Sequence, residues 1–385
     1  MTYTLIHFTC ELNPRMGGIP SGIEITSANL KTSGINSSVV SFGNSSTSTR
    51  AASSRVQRMR NDGSNIVVKP SWFTNSYGIG WNFGFLKRLS VPSVYSVVVL
   101  HQVYTLSTLI GYRYSKKNRI PYVVFPHGSL THYHESDSKL IKGAARRLII
   151  KKILREAGAI IVTCVSEKMD LEVGLQPKAI LLPYGAEIGN LLLDIKNKTG
   201  GDSKITRILF SGRFDKKKNL PMLLKALPGI LSKYPNLVLD IAGSGTTKEI
   251  RNLKTIIATL ELENNIEFHG WVDRSEMEQL FRSASLLVLP SENENFAQVV
   301  SEALSSGVPC VVSQFVGTSD IVARHHAGEI IEELTPESVA AAVLKVLEGD
   351  QLAYREAAFK ATREDLDWSK IALKWKALIS SLDVE

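Results

Sequence analysis

Glu294 and Glu302 stand eight residues apart in Pro290-Ser-Glu-Asn-Glu-Asn-Phe-Ala-Gln-Val-Val-Ser-Glu, a spacing that could grip two ends of one polar ligand. An apolar run, Leu286–Leu289, leads into the polar loop that holds Glu294, Asn295, Phe296 and Ala297. Val299, Val300, Ala303 and Leu304 then recur at helical spacing, which puts Glu302 on a short helix stopped by Gly307 and Pro309. A second strand, Cys310–Val312, follows. The start of that helix offers free N–H groups and a partial positive charge, and phosphate binds readily there. Carboxylates on both sides would repel phosphate, so they suit hydroxyls instead. Hydroxyls at both ends with phosphate between them describe a nucleotide sugar. The competing reading is an ordinary polar surface helix.

Other residues with chemistry also follow apolar runs. Arg213 and Lys218 follow Ile208–Ser211, His127 follows Tyr122–Phe125, and Gly17 and Gly18 open a helix near Ile19. Ligands of open α/β sheets sit beyond the carboxyl ends of strands, which is the physical reason to gather these residues into one site. Each has a bland counterpart: a solvated basic turn that includes Lys216 and Lys217, a structural histidine, a tight glycine turn. Gly243-Ser-Gly245 also follows a strand, but Lys248 stands where a dinucleotide fingerprint needs its third glycine. Asp365-Leu-Asp367 looks like a metal-binding pair, yet it precedes Trp368 and reads as a helix cap with first-turn charge. No His, Cys or Asp cluster has ligand spacing, so no catalytic metal and no cofactor are expected.

These segments together resemble the retaining GT-B glycosyltransferases, in particular glycosyltransferase family 4. Glu294-x7-Glu302 resembles the paired-glutamate motif, Ser211-Gly-Arg-Phe-Asp-Lys-Lys-Lys218 the Gly-Arg…Lys segment, Pro14-Arg-Met-Gly17-Gly18 the N-terminal glycine loop, and Phe125-Pro-His127-Gly the Pro-His-Gly segment. Their order also agrees, and the resemblance covers nearly the whole chain. It implies two Rossmann-like parallel-sheet domains facing a central cleft. It implies transfer of a sugar from a nucleotide-diphosphate sugar to a saccharide or lipid-linked saccharide, as in bacterial surface-polysaccharide assembly. Glu294 would hold donor-sugar hydroxyls, Glu302 the ribose, and Asn295, Phe296 and Ala297 the phosphate or sugar. Arg213 and Lys218, expected to be exposed, would stabilise the departing diphosphate, since fixed cations offset leaving-group charge. His127 would lie beside the anomeric carbon and position the sugar, with the departing phosphate accepting the acceptor's proton. Ser166-Glu167 and Pro183-Tyr-Gly-Ala-Glu187 match further family segments. Asn219, Ala297 and Tyr184 depart from the pattern, which often has Gly, Gly and Asn there, and Tyr184 receives no role. A nucleotide-sugar epimerase and a non-catalytic binding subunit are the alternatives. An epimerase should carry further carboxylates near the sugar, and a binding subunit should have lost Glu294, Lys218 or His127.

The elements that must position these residues alternate along the chain. Strands are expected at Thr4–Phe8, Ser38–Ser41, Ser96–Leu100, Tyr122–Phe125 and Ala159–Thr163, with helices at Ile19–Thr32 and Ser138–Arg155. Residues 44–64, polar and Ser-rich, read as a mobile surface loop. A polar stretch at 192–203 reads as a linker, after which the pattern restarts. The expected domains are 1–195, binding the acceptor, and 196–367, binding the nucleotide sugar, with the helix Trp368–Leu382 packing back on the first. The chain has 385 residues, 44% hydrophobic and 21% charged, an ordinary globular composition of two-domain size. Three scattered cysteines fit a reducing compartment. No apolar run can span a bilayer and the N-terminus lacks a signal-peptide pattern, so a cytoplasmic protein is expected, with peripheral association at the inner face of the membrane as a second expectation. Residues 1–195 hold 22 basic and 11 acidic side chains, while the remainder holds 23 and 26. The segment 138–155 carries seven cations and an apolar stripe of Leu140, Ala144, Leu148, Ile149 and Ile153, which suits a helix that buries the stripe and offers its cations to an anionic membrane. No nucleic-acid partner is expected.

Overall fold

Long apolar runs with few charges make the central strands, because strands of a parallel sheet are covered by helices on both faces. The computed structural model describes residues 3–10, 12, 18–43, 50–70, 96–131, 144–186 and 206–382. These divide into two compact units, 1–184 together with 368–385, and 185–367. The first division falls at Tyr184/Gly185, ahead of the expected boundary at 195/196. The linker segment 192–203 lies outside the described residues, as do Gly17 and residues 138–143.

In the first unit a seven-stranded parallel sheet forms around β1 (Tyr3–Thr9). It continues through β2 (Ile35–Gly43) to β3 (Asn65–Pro70) on one side. On the other side lie β4 (Ser96–His101), β5 (Tyr122–Phe125), β6 (Ala159–Val162) and β7 (Ala179–Leu181). Registers place His7 beside Val99 and His101 beside Phe125, so carboxyl ends of neighbouring strands line up. Helices α1 (Gly18–Thr32), α2 (Arg50–Asn61), α3 (Leu106–Asn118), α4 (Ala144–Glu156) and α5 (Val165–Met169) complete the crossovers. The last helix of the chain, Trp368–Leu382, belongs to this unit. Tyr3 and Ser380 hydroxyls meet at 3.1 Å, and Leu382 lies so close over Gly158 that a Cβ there would come within 2.3 Å of it.

Two expectations fail in this unit. Residues 50–61 form helix α2, not a loop. Its apolar content is sparse, but Val56 and Met59 pack with Ile23 and Val39. Arg55, nearly buried, donates to Glu24 Oε2 at 2.6 Å and to Ser21 Oγ at 2.9 Å, while Arg58 donates to Glu24 Oε1 at 2.7 Å. An ion pair therefore anchors a face that hydropathy alone leaves open. On α4, Ile150, Ile153 and Leu154 are buried, whereas Leu148 and Ile149 of the expected stripe are 69% and 46% exposed. The sheet meets the helix along positions spaced 150, 153 and 154, which leaves the neighbouring face uncovered.

The second unit holds a six-stranded parallel sheet in the order β10 (Ile266–Gly270), β9 (Val238–Ala242), β8 (Arg207–Ser211), β11 (Leu286–Leu289), β12 (Cys310–Ser313) and β13 (Gly328–Ile331). Both sheets thus reverse their winding beside a central first strand, the doubly wound pattern that places ligands at the switch point. The helices are α6 (Leu220–Leu231), α7 (Thr247–Thr259), α8 (Arg274–Ser283), α9 (Gln298–Ser305), α10 (Ser319–His325), α11 (Pro336–Glu348) and α12 (Gln351–Ala361). Thr246 with Glu249, and Asp273 with Glu276, form capping boxes that start α7 and α8. Residues 362–366 form a π-helical turn, and Asp365 accepts from Arg324 at 3.1 Å and from His325 at 2.6 Å.

Candidate functional site

Three loops meet at carboxyl ends of strands in the second unit. The loop after β8 turns through Asp215, whose side chain accepts from the Lys218 N–H at 3.2 Å, and ends at Asn219 with φ 52°. Glu292 N–H donates to the Lys217 carbonyl at 2.7 Å and ties the loop after β11 to it. Glu294 in turn donates its N–H to Phe315 O at 3.0 Å and accepts from Gly317 N–H at 2.9 Å, which fastens the loop after β12. The result brings Lys218 Nζ to 3.0 Å from Glu294 Oε1, with the two side chains 14% and 20% exposed. Glycine is needed behind them. A Cβ on Gly243 would lie 1.8 Å from the Gly212 carbonyl, and one on Gly212 would press on Lys218 Cε at 3.0 Å.

Lys218 is therefore not exposed as expected, because Glu294 draws it inward. Arg213 is open, 64% exposed, and held to Asp215 at 3.0 Å. Phe296 and Ala297 are buried where the chain enters α9, and Ala297 takes φ 59°, ψ 73°, with no side-chain cap on the helix. Asn295 is half-buried. Desolvation by the surrounding chain would lift the Glu302 carboxyl to about 7. The residue is exposed, however, and water around an open carboxylate keeps it ionised at neutral pH. The unit thus offers one inward ion pair, one outward guanidinium, a helix N-terminus and one outward carboxylate.

In the first unit, His127 takes φ 53° and Gly128 φ 76°, a reversal immediately after β5. The buried Glu167 carboxylate holds that turn, accepting from Gly128 N–H at 2.7 Å and from Thr163 N–H at 2.8 Å. Both ring nitrogens of His127 are occupied. Nδ1 meets the Tyr184 hydroxyl at 3.0 Å and Nε2 meets His101 Nδ1 at 2.8 Å. His101 Nε2 continues to His7 Nδ1 at 2.9 Å. Phe125 stacks on His127 with ring centroids 4.0 Å apart. Burial holds His7 at about 4 and His127 at about 3, in the latter case with help from His7, and drives His101 well below its usual range. All three rings are neutral at neutral pH. A ring with both nitrogens bonded inside its own unit is no general base in this state. Gly18 is exposed at the start of α1.

His7 and Tyr184 were not recognised from sequence. The available signal was a histidine at or near the carboxyl ends of three strands that the parallel order makes neighbours, β1, β4 and β5. Asp240, Glu267 and His269 form a cluster with metal-ligand atoms within 4.8 Å of one another. Arg207 already bridges Asp240 and Glu267, and His269 Nε2 meets Asp240 Oδ1 at 2.7 Å. A fixed guanidinium occupies the acidic pair, so the cluster is an ion-pair network across β8, β9 and β10.

Two doubly wound parallel sheets, with the candidate side chains at their strand ends, define an α/β protein of the GT-B fold. Residues 193–365 match the model of the family described as glycosyl transferases group 1. An uncharacterized glycosyltransferase of Methanocaldococcus jannaschii is 26% identical over 74% of this chain and 76% of its own length. A phosphatidyl-myo-inositol mannosyltransferase of Mycolicibacterium smegmatis is 28% identical over 56% of this chain and 55% of its own. Among solved structures, Anabaena Alr3699/HepE in complex with UDP and glucose superposes with a TM-score of 0.72 at 16% identity, covering 99% of this chain and 100% of that one. The second unit of the chain, which contains the matched residues, is thus similar to the group 1 glycosyltransferases.

Proposed function

We propose that the protein transfers a sugar from a nucleoside-diphosphate sugar to an acceptor hydroxyl with retention of anomeric configuration and without a metal. The observation that carries this reading is the Lys218–Glu294 pair at the junction of three strand-end loops, beside the N-terminus of α9. A diphosphate arriving there exchanges one anionic partner of Lys218 for another and releases Glu294 toward sugar hydroxyls. Arg213 adds a second cation, and Glu302 meets the ribose. In the transfer step the bond from the anomeric carbon to the phosphate oxygen breaks, and the acceptor oxygen bonds to that carbon. The acceptor's proton passes to the departing phosphate. Asn295, Phe296 and Ala297 present backbone to the donor, and the first unit binds the acceptor.

The acceptor in this proposal is a saccharide or a lipid-linked saccharide of surface-polysaccharide assembly. The mannosyltransferase relative, whose name carries a phosphoinositide, supports a lipid-linked acceptor. The exposed Leu148 and Ile149 beside Lys151 and Lys152 support an association of α4 with an anionic membrane on its cytoplasmic side.

The test is a melting experiment with UDP, GDP and other nucleoside diphosphates, followed by turnover of the matching sugar donors in EDTA. A ligand at about 100 times its Kd adds about 2.7 kcal/mol, so one nucleoside diphosphate should raise the melting temperature clearly. The product should keep the donor's anomeric configuration by NMR. No response to any nucleoside diphosphate, or turnover lost in EDTA and restored by manganese, defeats the reading.

A further inference from the structure

The three histidines in the first unit form a chain whose ends differ. At one end the Tyr184 hydroxyl bonds His127 Nδ1. At the other, His7 Nε2 is buried and has no hydrogen-bond partner among the described residues. A buried polar atom without a partner costs about 1–3 kcal/mol, so the arrangement is not the cheapest way to fill this space with side chains. The neighbours hold it rigidly. A Cβ on Gly22 would come within 2.5 Å of Tyr184 Cε1, so α1 lies directly on the tyrosine ring. His7, His101, Tyr184 and Trp375 of the last helix surround one small cavity of about 10 Å³.

A neutral imidazole has one N–H and one bare nitrogen. The two junctions between rings, at 2.8 and 2.9 Å, each need one N–H facing one lone pair. If Tyr184 donates to His127 Nδ1, then His127 carries its proton on Nε2 and donates to His101, which must do the same toward His7. If His127 donates to Tyr184, all three rings carry the proton on Nδ1. Any mixture sets two protons or two lone pairs against each other at a junction. The neutrality imposed by burial removes the third possibility, a ring protonated on both nitrogens.

We propose that His7, His101 and His127 are one tautomeric unit, a relay in which the proton position on His127 is set jointly by Tyr184 at one end and His7 at the other. Tyr184, His101 and His7 are then positioning residues. They fix the ring plane and polarity of His127 and hence the turn at 127–128 that Glu167 grips. Proton arrangement passes along the relay without a net charge entering the site. The positioning role rests on the reading of His127 as the residue beside the donor sugar, whereas the shared tautomer does not.

The decisive measurement is ring-nitrogen NMR on the full-length free protein labelled at histidine, with signals assigned by single substitutions. In the unsubstituted protein all three rings should report the same tautomer. Tyr184→Phe removes only a hydroxyl, yet it should move the ring-nitrogen signals of His101 and His7 as well as those of His127. His7→Leu should move the signals of His127 from the opposite end, and His7→Asn, which keeps a polar atom near the Nδ1 position, should restore them. Three rings in different tautomers, or a response confined to the ring next to the substitution, overturns the relay. For the positioning role, Tyr184→Phe and His7→Leu should lower kcat about tenfold, the scale of one hydrogen bond, with donor KM unchanged. Unchanged kcat beside shifted ring nitrogens overturns that role. If the unsubstituted protein turns over no nucleotide sugar, the proposed function fails while the NMR result still decides the relay.

Discussion

At Lys218 the ion pair with Glu294 makes two properties separable. Lys218→Ala removes a cation that the proposed reaction assigns to the diphosphate, and it also strands a carboxylate that is only 20% exposed. Arg213→Ala removes a cation from open solvent. Both should lower turnover by about 100-fold, the scale of a lost transition-state donor. Only Lys218→Ala should also lower stability, by about 1–3 kcal/mol for the unpaired partner. Denaturant unfolding beside initial rates checks the split, and equal stability losses would remove the distinction. The neighbouring backbone carries a second prediction. Asn219 and Ala297 stand where the family pattern often has glycine, and both adopt left-handed φ, 52° and 59°. Asparagine tolerates that region; alanine does so at about 1–2 kcal/mol. Ala297→Gly should relieve that strain against about 0.5–1 kcal/mol of added chain entropy, a net gain of about 0.5 kcal/mol visible as a higher unfolding midpoint. The spacing of Glu294, Lys218 and Arg213 was legible as chemistry in the sequence. Their pairing was not, because no pattern in one chain tells which cation a carboxylate faces.

Elements became legible in proportion to how far apolar burial alone specifies them. The strands Leu286–Leu289 and Tyr122–Phe125 are wholly buried and have the bounds that their apolar runs suggest. Helix α3 is different: Ser107, Thr108, Gly111 and Ser115 share its buried face with Ile110 and Tyr114, which dilutes the apolar period. Helix α2 is held through Arg55, whose burial is possible only because Glu24 and Ser21 receive its guanidinium. Removing one member of such a pair leaves a buried charge uncompensated. Glu24→Ala should therefore destabilise the first unit by about 3 kcal/mol, far more than a surface carboxylate loss. Glu24→Gln, which can still accept from Arg55, should recover part of it. A loss within about 0.5 kcal/mol for Glu24→Ala, measured by denaturant unfolding, would show that α2 is held by its apolar contacts alone.

Charge is divided over the whole molecule, with the basic excess in the first half of the chain. Glu156 and Glu172 neutralise part of it near α4, pairing with Lys116, Lys151 and Lys152. The exposed Leu148 and Ile149 supply the apolar part of a surface contact. No helix among the described residues is long and apolar enough to cross a membrane. Each cation near an anionic bilayer contributes about 1 kcal/mol. Anionic vesicles should therefore sediment the protein at low salt and release it at high salt, and replacing Lys151 and Lys152 with Gln should weaken the association. Indifference to anionic vesicles at low salt favours a soluble acceptor. Global stability has its own electrostatic signature, set by the neutral histidines. His7 titrates near 6.5 in the unfolded chain and only at about 4 when buried. Between those values the unfolded state binds more protons, so stability rises with pH across that window. The stability is intact above about 6.5 and is lost as pH falls toward about 4, by on the order of 3 kcal/mol for His7. Carboxylates titrate in the same range, so the comparison must be with a protein that differs only at this ring. His7→Asn does not titrate there. Its stability deficit relative to the unsubstituted protein at pH 7 should shrink by about that amount at pH 4, as read from urea unfolding at both pH values. A deficit that stays constant would mean that the ring is protonated without cost, and the neutral relay through His101 and His127 would not exist as described.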